Sequence, residues 1–389
     1  MFKRAQPERP VRRVAFVAGT ARNLLGMRAP LMRALLDRGI SVLAVAPSFS
    51  AEEEARLESM RIERATFELV PRGPRMLADF QIVRELKEKL AVWQADAVVA
   101  SSGRVMALAT IAAARARVPR RVAVVNGLPV ERITAATADQ LAARPRLMAR
   151  GLRSATAVLL HNRDDKRRLE RQGMLSHPTT VTVLPGAGVD LAAFATAPLP
   201  PAANGLVFLM IATLDRARGV LDYCEAARAL KARAPLARFL LAGPAGTSAS
   251  VVKPEELRPY ADAVTFLGPL VDVRPALADC HVFVYPSDGE GMPRALLEAL
   301  ASGRPVVTTT APGCRDTADD RVNGCLVPPG DVAALELAMA SFLKRPDLLA
   351  SMARASRLKA ERHFDERHVI DAMMELIGVR LPTAAAAAA

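Results

Sequence analysis

The sequence predicts an α/β protein made of two doubly wound, Rossmann-like domains in tandem. Short apolar runs alternate with amphipathic segments of helical period along nearly the whole chain, which is the pattern of parallel strands joined by crossover helices. A charge-free stretch rich in Pro and Ala, residues 195–205, interrupts this alternation once and is typical of an interdomain linker. With 389 residues, 51% of them apolar, the chain is long enough for two ordinary cores.

The first predicted domain, residues 1–195, contains seven short apolar runs. Their hydrophobicity is continuous rather than alternating, which indicates strands buried on both faces of a parallel sheet. Gly39 lies just after the first predicted helix, where a left-handed residue commonly ends a helix. The predicted strands are Val14–Ala18, Val42–Ala46, Phe67–Val70, Ala97–Ala100, Val122–Val125, Ala157–Leu160 and Val181–Leu184. The clearest predicted helices are Ala29–Asp37, Leu77–Val92 and Arg104–Arg117.

The second predicted domain, residues 196–364, repeats the pattern with six further strands. In sheets of this type ligands bind at the carboxyl ends of the strands, so functional residues are expected directly after strands. Residues 365–378 form a predicted helix with an apolar stripe at Val369, Met373, Leu376 and Ile377. The predicted strands are Leu206–Ala212, Ala237–Ala242, Ala263–Leu267, His281–Tyr285, Pro305–Thr308 and Gly324–Val327.

The composition argues against several classes of protein. No apolar run approaches the roughly 18 residues that a membrane-spanning helix needs. The first apolar stretch, Val14–Ala18, is too short for a signal peptide. The four cysteines are far apart and include no C-x-x-C pair, so neither a disulfide framework nor a metal site is expected. We therefore expect a cytoplasmic protein with reduced thiols.

The net charge of +13 is concentrated in the first half of the chain. Residues 1–200 contain 32 Lys and Arg against 18 Asp and Glu, whereas residues 201–389 contain 21 against 22. A basic first half fits either a solvated, arginine-rich surface or contact with an anionic lipid surface, where each basic residue contributes about 1 kcal/mol. We favour the second, a peripheral position at the cytoplasmic face of the inner membrane. Nucleic acid is not expected as a partner, because one Trp and three Tyr offer few stacking platforms.

The stretch "SDGEGMPRALLEALASGRPVV", residues 287–307, contains the main candidates for ligand binding. It follows the predicted strand His281–Tyr285, and Pro293 is expected to open a helix at its first position. The free N–H groups and the positive dipole end of such a helix suit a diphosphate. Gly289 and Gly291 would let the backbone approach a ligand closely.

Two acids flank this helix start. Glu290 and Glu298 are separated by about 12 Å along the helix axis. They are too far apart to act on one glycosidic bond, where about 5 to 10 Å is expected. Carboxylates accept hydrogen bonds from vicinal hydroxyls, so a ligand with hydroxyls at both ends and a diphosphate between them, a nucleotide sugar, matches the pattern. The alternative is that Glu290 only stabilises the helix start and Glu298 is an ordinary surface residue.

Residues 286–331 resemble the donor-binding signature of retaining glycosyltransferases of the GT-B fold, family 4. The E-x7-E spacing, the E-G-M-P turn and the later "PGC" and "NGCLVPPGD" segments carry the resemblance. In the first half, "VVNGLPVERI", "LLHNRDDKRRLERQG" and "VLPGAGVDLAAF" resemble the branch that elongates polyprenyl-diphosphate-linked oligosaccharides or exopolysaccharides. The resemblance implies two domains that face each other across a cleft, with a helix at residues 365–380 that crosses back to the first domain.

The resemblance also implies roles for residues after the predicted strand at 281–285. Glu290 would bind hydroxyls of the donor sugar and stabilise positive charge near its anomeric carbon, and Glu298 would bind ribose. The backbone of Gly291, Met292 and Pro293 would frame the sugar and the phosphates.

The chain departs from the family where an arginine and a lysine usually hold the diphosphate, a segment that falls on "IATLDRARGVLDYCEAA". Arg218 stands at the lysine position, and a guanidinium can bind phosphate bidentately. Thr213 replaces the arginine and offers only a hydroxyl, and Arg216 is the candidate to compensate. Loss of one cation at the leaving group would slow the transfer.

Residues after strands of the first domain are candidates for the acceptor side of the cleft. Many family members have a histidine after the fourth strand, where this chain has Ser101–Gly103, so no general base is assigned. The segments "NRDDK" and "TADD" are not the strand-terminal D-x-D that holds a divalent cation in the other glycosyltransferase fold, so neither a metal nor another cofactor is expected. The candidates are Gly19, Thr20, Arg104, Gly127 and Leu128.

The sequence therefore predicts a retaining glycosyltransferase that moves a sugar from a nucleotide sugar, expected to be a UDP-sugar. The expected acceptor is a polyprenyl-diphosphate-linked glycan or another surface polysaccharide. The alternative is a catalytically weakened GT-B protein that acts as a regulatory or scaffold partner in glycan assembly. Thr213 and the missing histidine are the features that suggest this alternative.

Overall fold

The computed structural model describes residues 10–69, 75–128, 145–175, 179–246 and 250–379. These residues form two α/β domains, each built on a parallel sheet. Val70 and residue 380, which belong to a predicted strand and a predicted helix, lie outside the described residues. The first sheet has an apolar core on each of its faces, as the continuous hydrophobicity of its strands predicts.

The first domain has a seven-stranded parallel sheet in the order β3-β2-β1-β4-β5-β6-β7. Strands β1 to β7 cover Arg13–Val17, Ser41–Ala46, Glu63–Thr66, Ala97–Ala100, Arg120–Val125, Ala157–Leu160 and Thr180–Val183. The described helices, α1 to α6, cover Ala21–Leu36, Ala51–Ser59, Arg75–Val92, Gly103–Arg115, Pro145–Ser154 and Arg163–Arg171. The strand order reverses between β1 and β4, which is where ligands bind in such sheets.

The second domain has a six-stranded parallel sheet in the order β10-β9-β8-β11-β12-β13, so its order reverses between β8 and β11. Strands β8 to β13 cover Val207–Ile211, Arg238–Ala242, Val264–Gly268, Val282–Tyr285, Val306–Thr309 and Gly324–Val327. The described helices, α7 to α13, cover Val220–Arg233, Pro254–Leu257, Arg274–Ala278, Arg294–Ala301, Val332–Lys344, Leu349–His363 and Glu366–Ile377.

The predicted third strand is wrong. The prediction was Phe67–Val70, whereas β3 is the preceding segment Glu63–Thr66. Among the described residues β3 pairs with β2 alone, at the edge of the sheet, and it is largely exposed, so an apolar run does not mark it. Phe67, the first residue of the predicted strand, packs into the core just after β3 ends.

The first helix is longer than predicted. The expected range was Ala29–Asp37, but α1 begins at Ala21, where the Thr20 side chain accepts a hydrogen bond from the Asn23 N–H at 3.2 Å. Pro30 lies inside the helix, although a proline is usually taken as a helix boundary.

The chain crosses between the domains twice, and the crossings lie side by side. The Val189 N–H donates to the Phe364 carbonyl at 2.7 Å, and the Glu366 N–H donates back to the Val189 carbonyl at 3.1 Å. A Cβ at Gly188 would lie 2.5 Å from the Glu366 Cα, so this approach needs a glycine. Helix α13 starts at this point and returns to the first domain, which confirms the expected crossing of the last helix.

Four apolar residues of α13 complete one core of the first domain against α1: Val369, Met373, Met374 and Ile377. Three of them belong to the stripe that the sequence predicts, and Leu376 of that stripe is only partly buried. The first domain therefore depends on the last helix of the chain for its core.

Two arginines hold the segment between the sheets against the second domain. Arg304 is fully buried and donates to the carbonyls of Ala197, at 2.6 Å, and Cys280, at 3.2 Å. Arg357 donates to the carbonyl of Phe194 at 2.9 Å. Residues 194–198 therefore lie on the second domain, although the predicted boundary at 195/196 stays a prediction.

We expect Arg304→Met to destabilise the second domain. The substitution leaves buried carbonyls without a donor, which should lower the free energy of unfolding by about 2–4 kcal/mol. Urea denaturation followed by circular dichroism measures this free energy of unfolding. Arg274→Met is the matched control, because Arg274 is exposed and pairs only with Asp272 on the surface. Equal urea midpoints for the two variants would contradict the role assigned to Arg304.

Candidate functional site

The candidate site lies where the carboxyl edge of the second sheet faces the first domain. The loop after β8 and the loop after β11 are packed together there, because β8 and β11 are neighbouring strands. The Ser287 hydroxyl and the Asp288 N–H both donate to the Ala217 carbonyl, each at 3.0 Å. Gly219 has φ +73, and a Cβ there would lie 2.2 Å from the Pro286 oxygen. This contact brings Arg218 to the loop that carries Glu290.

Glu290 forms a compact polar cluster with Arg218 and Tyr285. One of its carboxylate oxygens pairs with the Arg218 guanidinium and accepts a hydrogen bond from the Tyr285 hydroxyl. The side chain of Glu290 is 16% exposed and that of Arg218 is 34% exposed, so the ion pair is partly shielded from water. Burial raises the pKa of Tyr285, which keeps its phenol protonated and able to donate. Sequence reasoning missed Tyr285, which it treated only as the end of a strand.

Glu298 is buried on α10 and is held by Arg294, one turn earlier. The Arg294 Nε donates to the Glu298 carboxylate at 2.7 Å, and its Nη1 donates to the Gly26 carbonyl on α1 of the first domain. Burial raises the pKa of Glu298, and the neighbouring Arg294 acts in the opposite direction. Pro293 is the N-cap residue just before α10, whereas the sequence predicted it as the first residue of the helix.

The Glu290 loop also touches the first domain through backbone. Gly127, after β5, has φ +127, and a Cβ there would lie 2.5 Å from the Gly291 nitrogen. A Cβ at Gly291 would lie 2.2 Å from the carbonyl oxygen of Asn126. Gly313 packs on the same loop from within the second domain. A Cβ at Gly313 would lie 2.4 Å from the Glu290 carbonyl oxygen. Gly127 and Gly291 therefore permit this approach between the domains, and Gly313 permits the packing of the loop within the second domain.

Asn162 and Asp165 connect the first domain to the same loop. The Asn162 side-chain amide donates to the carbonyls of Glu290, at 3.1 Å, and Gly291, at 2.9 Å. It also donates to the Asp165 carboxylate at 2.9 Å, which in turn accepts the Leu128 N–H at 3.3 Å. Sequence reasoning missed Asn162, although its position directly after a buried strand is the signal that could have identified it.

Other predicted residues lie at the edges of this region. A Cβ at Gly19 would lie 3.3 Å from the Ser102 Cβ, so the loops after β1 and β4 are in contact. Thr20 caps α1, and Arg104 is held by Asp79 of α3, with Nε to Oδ1 at 2.9 Å. Ser102 has φ +75, a strained backbone for a residue with a side chain.

Four predicted residues of the second domain take other positions around the Glu290 cluster. Thr213 is exposed, and Arg216 pairs with Glu256 of α8 rather than with Glu290. Met292 is 8% exposed and packs on Gly186, where a Cβ would lie 3.1 Å from the Met292 Cβ. Gly289 has φ +142, a backbone that favours glycine.

His161, at the end of β6, is a buried residue that sequence reasoning also missed. Its ring contacts the Leu184 carbonyl and the Asn126 Oδ1, each at 3.2 Å. Burial, together with the positive charge of Arg28, lowers the pKa of His161 to about 3. The ring is therefore neutral at physiological pH and lies beside Asn126, the residue before Gly127.

A cavity of about 620 Å³ lies beside Asn162, between α6 and the segment after β12. Arg315 of the second domain reaches Asp164 of the first across it, with Nη2 to Oδ2 at 2.9 Å. Burial raises the pKa of Asp165 to about 6, against the hydrogen bonds from Asn162 and Leu128, which lower it. The lining residues are Leu128, Asp164, Asp165, Arg167, Arg168, Glu170, Arg171, Pro312 and Arg315.

Within the described ranges, no group of three or more His, Cys, Asp or Glu side chains is arranged to hold a metal ion. In the same ranges, each helix is too short or too polar to cross a membrane.

Two family models match the chain, one in each domain. The model described as "Glycosyltransferase Family 4" matches residues 30–192, and the model described as "Glycosyl transferases group 1" matches residues 205–345. The chain belongs to the family 4 glycosyltransferases with the GT-B fold.

Two relatives show how far the similarity extends. The N,N'-diacetylbacillosaminyl-diphospho-undecaprenol alpha-1,3-N-acetylgalactosaminyltransferase of Campylobacter jejuni is 23% identical over 381 residues, 94% of this chain and 98% of that protein. WcaL of Escherichia coli, which is named as a colanic acid biosynthesis glycosyltransferase, is 31% identical over 209 residues, 51% of each chain. The chain thus spans about half the length of WcaL and of several other curated relatives it matches.

Solved structures confirm the predicted fold. HepE of Anabaena, solved in complex with UDP, matches with a TM-score of 0.74 and 18% identity, over 94% of this chain and 99% of that one. A sucrose-phosphate synthase from Thermosynechococcus elongatus matches with a TM-score of 0.73 and 18% identity, over 94% and 98% of the two chains. Because both matches extend over both domains, the GT-B arrangement applies to the chain as a whole.

We expect Gly127→Ala to separate the two domains. The new Cβ would lie 2.5 Å from the Gly291 nitrogen, and alanine is also strained at φ +127. The radius of gyration from small-angle X-ray scattering should increase. Gly26→Ala is the control, because no atom lies within 4 Å of a Cβ at that helical position. If both variants scatter like the wild type, the backbone contact does not set the domain arrangement.

We expect the stability contribution of Asp165 to depend on pH. Its pKa is about 6 in the folded protein against an ordinary value of 3.8, so between these values the folded protein keeps a proton that the unfolded chain has released. The contribution to the free energy of unfolding therefore falls as pH rises through this window. The wild type minus Asp165→Asn difference should be larger at about pH 4.5 than at about pH 7.5 in urea denaturation. A difference that does not vary with pH would show that the carboxyl titrates normally.

Proposed function

We propose that the protein is a retaining glycosyltransferase that uses a nucleotide sugar, with UDP as the nucleotide. The observation that carries the proposal is the cluster of Glu290, Arg218 and Tyr285 in front of the N-terminus of α10. It combines an acceptor for sugar hydroxyls, a cation for a diphosphate and a helix end with free N–H groups. The UDP bound to HepE agrees with this choice of nucleotide.

In the proposed reaction the bond between the sugar anomeric carbon and the phosphate oxygen breaks, and the electron pair leaves with the nucleoside diphosphate. Arg218 stabilises the negative charge that develops there, and Glu290 stabilises the positive charge near the anomeric carbon. The acceptor hydroxyl attacks from the same face, and its proton passes to the leaving phosphate oxygen. This step needs no protein base.

The proposed donor site uses both acids of residues 287–307, Glu290 and Glu298. Glu298 would bind the ribose hydroxyls, for which the Arg294 contact keeps a buried carboxylate in place. The backbone of Gly291, Met292 and Pro293 would frame the sugar and phosphates. Arg218, the helix end and Thr213 would hold the diphosphate without a metal ion or another cofactor.

The proposed acceptor is a polyprenyl-diphosphate-linked glycan or another surface polysaccharide. The names of the Campylobacter and Escherichia relatives support this choice. The excess of basic residues in positions 1–200 fits a peripheral position on an anionic membrane surface, at its cytoplasmic face. Gly19, Thr20, Arg104, Gly127 and Leu128 remain the candidates for the acceptor side.

Glu290→Gln should lower the rate of transfer by about 10² to 10³, because it removes the charge that stabilises the transition state. UDP affinity should stay equal or increase, because Arg218 loses its competing carboxylate. Product release from a panel of UDP-sugars with a lipid-diphosphate acceptor measures the rate, and calorimetry measures UDP binding. Glu375→Gln, on the exposed side of α13, is the matched control.

Wild-type rates in Glu290→Gln would contradict the mechanism. Tight UDP binding without turnover of any donor by the wild type would contradict the enzymatic proposal and support a partner role in glycan assembly. In the same assay EDTA should leave the wild-type rate unchanged, because Arg218 supplies the positive charge at the leaving group.

A further inference from the structure

Asn162 makes two sets of contacts with opposite ends of its side chain. Its Oδ1 accepts the Asp165 N–H at 2.7 Å and thereby caps helix α6. Its Nδ2 donates to the Asp165 carboxylate and, across the domain boundary, to the carbonyls of Glu290 and Gly291. The residue is 1% exposed, so these bonds form away from water, where a hydrogen bond is stronger.

The capping bond fixes which end of the amide faces the second domain. Because the oxygen is held by the α6 backbone, the NH₂ group must point toward the Glu290 loop. The Asp165 carboxylate, which also accepts the Leu128 N–H, holds the same NH₂ group from the first domain. The orientation of Asn162 is therefore determined before the second domain closes on it.

The two carbonyls belong to consecutive peptide groups of the proposed donor loop. No cis peptide bond is present among the described residues, so each N–H points away from its carbonyl. The N–H groups of these peptides are those of Gly291 and Met292, and within the described part of the chain neither has a protein acceptor. Both residues are buried, and a buried N–H group without an acceptor is costly.

We propose that Asn162 is a positioning residue for transfer: it fixes and polarises the two peptide groups whose N–H groups, on Gly291 and Met292, face away from it toward the ligand. A carbonyl that accepts a hydrogen bond makes the N–H of the same peptide a stronger donor. The acceptors for these N–H groups are oxygen atoms of the donor, on its sugar or its phosphates. This assignment rests on the proposed function, because the donor supplies those oxygen atoms.

The geometry also links domain closure to this effect. The amide lies on the first domain and the carbonyls on the second, so the bonds exist only when the domains are together. Gly127 and Gly291 allow that approach through their missing side chains. A donor bound to the second domain alone would therefore meet a loop that is not yet fixed, and transfer would await closure.

Asn162→Ser tests the proposal, because serine keeps the helix cap but cannot donate to the two carbonyls. We expect kcat to fall by about 10- to 100-fold, equivalent to the loss of the N–H donor that the two carbonyls share. KM for the donor and UDP affinity should change little, because the second domain supplies the donor contacts. Asn162→Asp should be slower still, since it places a negative charge against the Asp165 carboxylate and the two carbonyls.

Ser50→Ala is the control for a merely structural effect. It removes the cap and the capping box of α2. There the Glu53 N–H donates to the Ser50 Oγ, and the Ser50 N–H donates to the Glu53 carboxylate. This variant should lose thermal stability while kcat stays at the wild-type value. If Asn162→Ser transfers at the wild-type rate, or if Ser50→Ala loses as much rate for a similar loss of thermal stability, Asn162 is not a positioning residue.

Hydrogen exchange separates this proposal from the proposed function. In the presence of UDP, amides of residues 286–294 should exchange faster in Asn162→Ser than in the wild type, while peptides from β8 and β9 are unchanged. This readout does not depend on turnover. Unchanged exchange in residues 286–294 would overturn the positioning role even if the wild type is an active transferase, and faster exchange would support it even if no donor is turned over.

Discussion

The close approach of two backbones, at Gly127 in the first domain and Gly291 in the second, is the constraint on which the rest of the structure depends. A Cβ at either position would lie 2.2–2.5 Å from backbone atoms of the other domain. At this separation the domains make polar contacts from Asn162 to the Glu290 loop, from Arg294 to the Gly26 carbonyl and from Arg315 to Asp164. The first two are bonds to backbone carbonyls, so they depend on the course of the main chain and tolerate little change in loop conformation.

Glu290 and Glu298 would repel a diphosphate if their negative charges had no positive partner. The structure pairs each with an arginine, Glu290 with Arg218 from the neighbouring loop and Glu298 with Arg294 one turn earlier. The positive end of α10 is therefore not cancelled by the acids on either side of it. Burial raises the pKa of Glu298, because an ionised carboxylate is costly in that position. The positive charge of Arg294 offsets this cost.

Much of the fold could be predicted because buried parallel strands are marked by continuous apolar runs, and the count of seven and six strands followed from them. The prediction failed at β3, where an exposed edge strand has no such run, and at α1, where Pro30 concealed a continuing helix. The motif around Glu290 could be located because spacing along one chain is visible in a sequence. The role of Tyr285, the bonds of Asn162 to the Glu290 loop and the pairing of each acid with an arginine could not, because they come from contacts between segments up to 129 residues apart.

Arg218 connects the cluster around Glu290 to the proposed reaction. Arg216 is held by Glu256, and Thr213 has no charge, so the cation beside Glu290 is that of Arg218. A guanidinium has five N–H donors in a planar fork, and can bind a phosphate with one edge while it keeps a carboxylate on another. A lysine there would offer one compact ammonium for both anions. An arginine at this position therefore lets a single cation serve the sugar-binding carboxylate and the leaving diphosphate together, which offsets the charge that the chain lacks at Thr213.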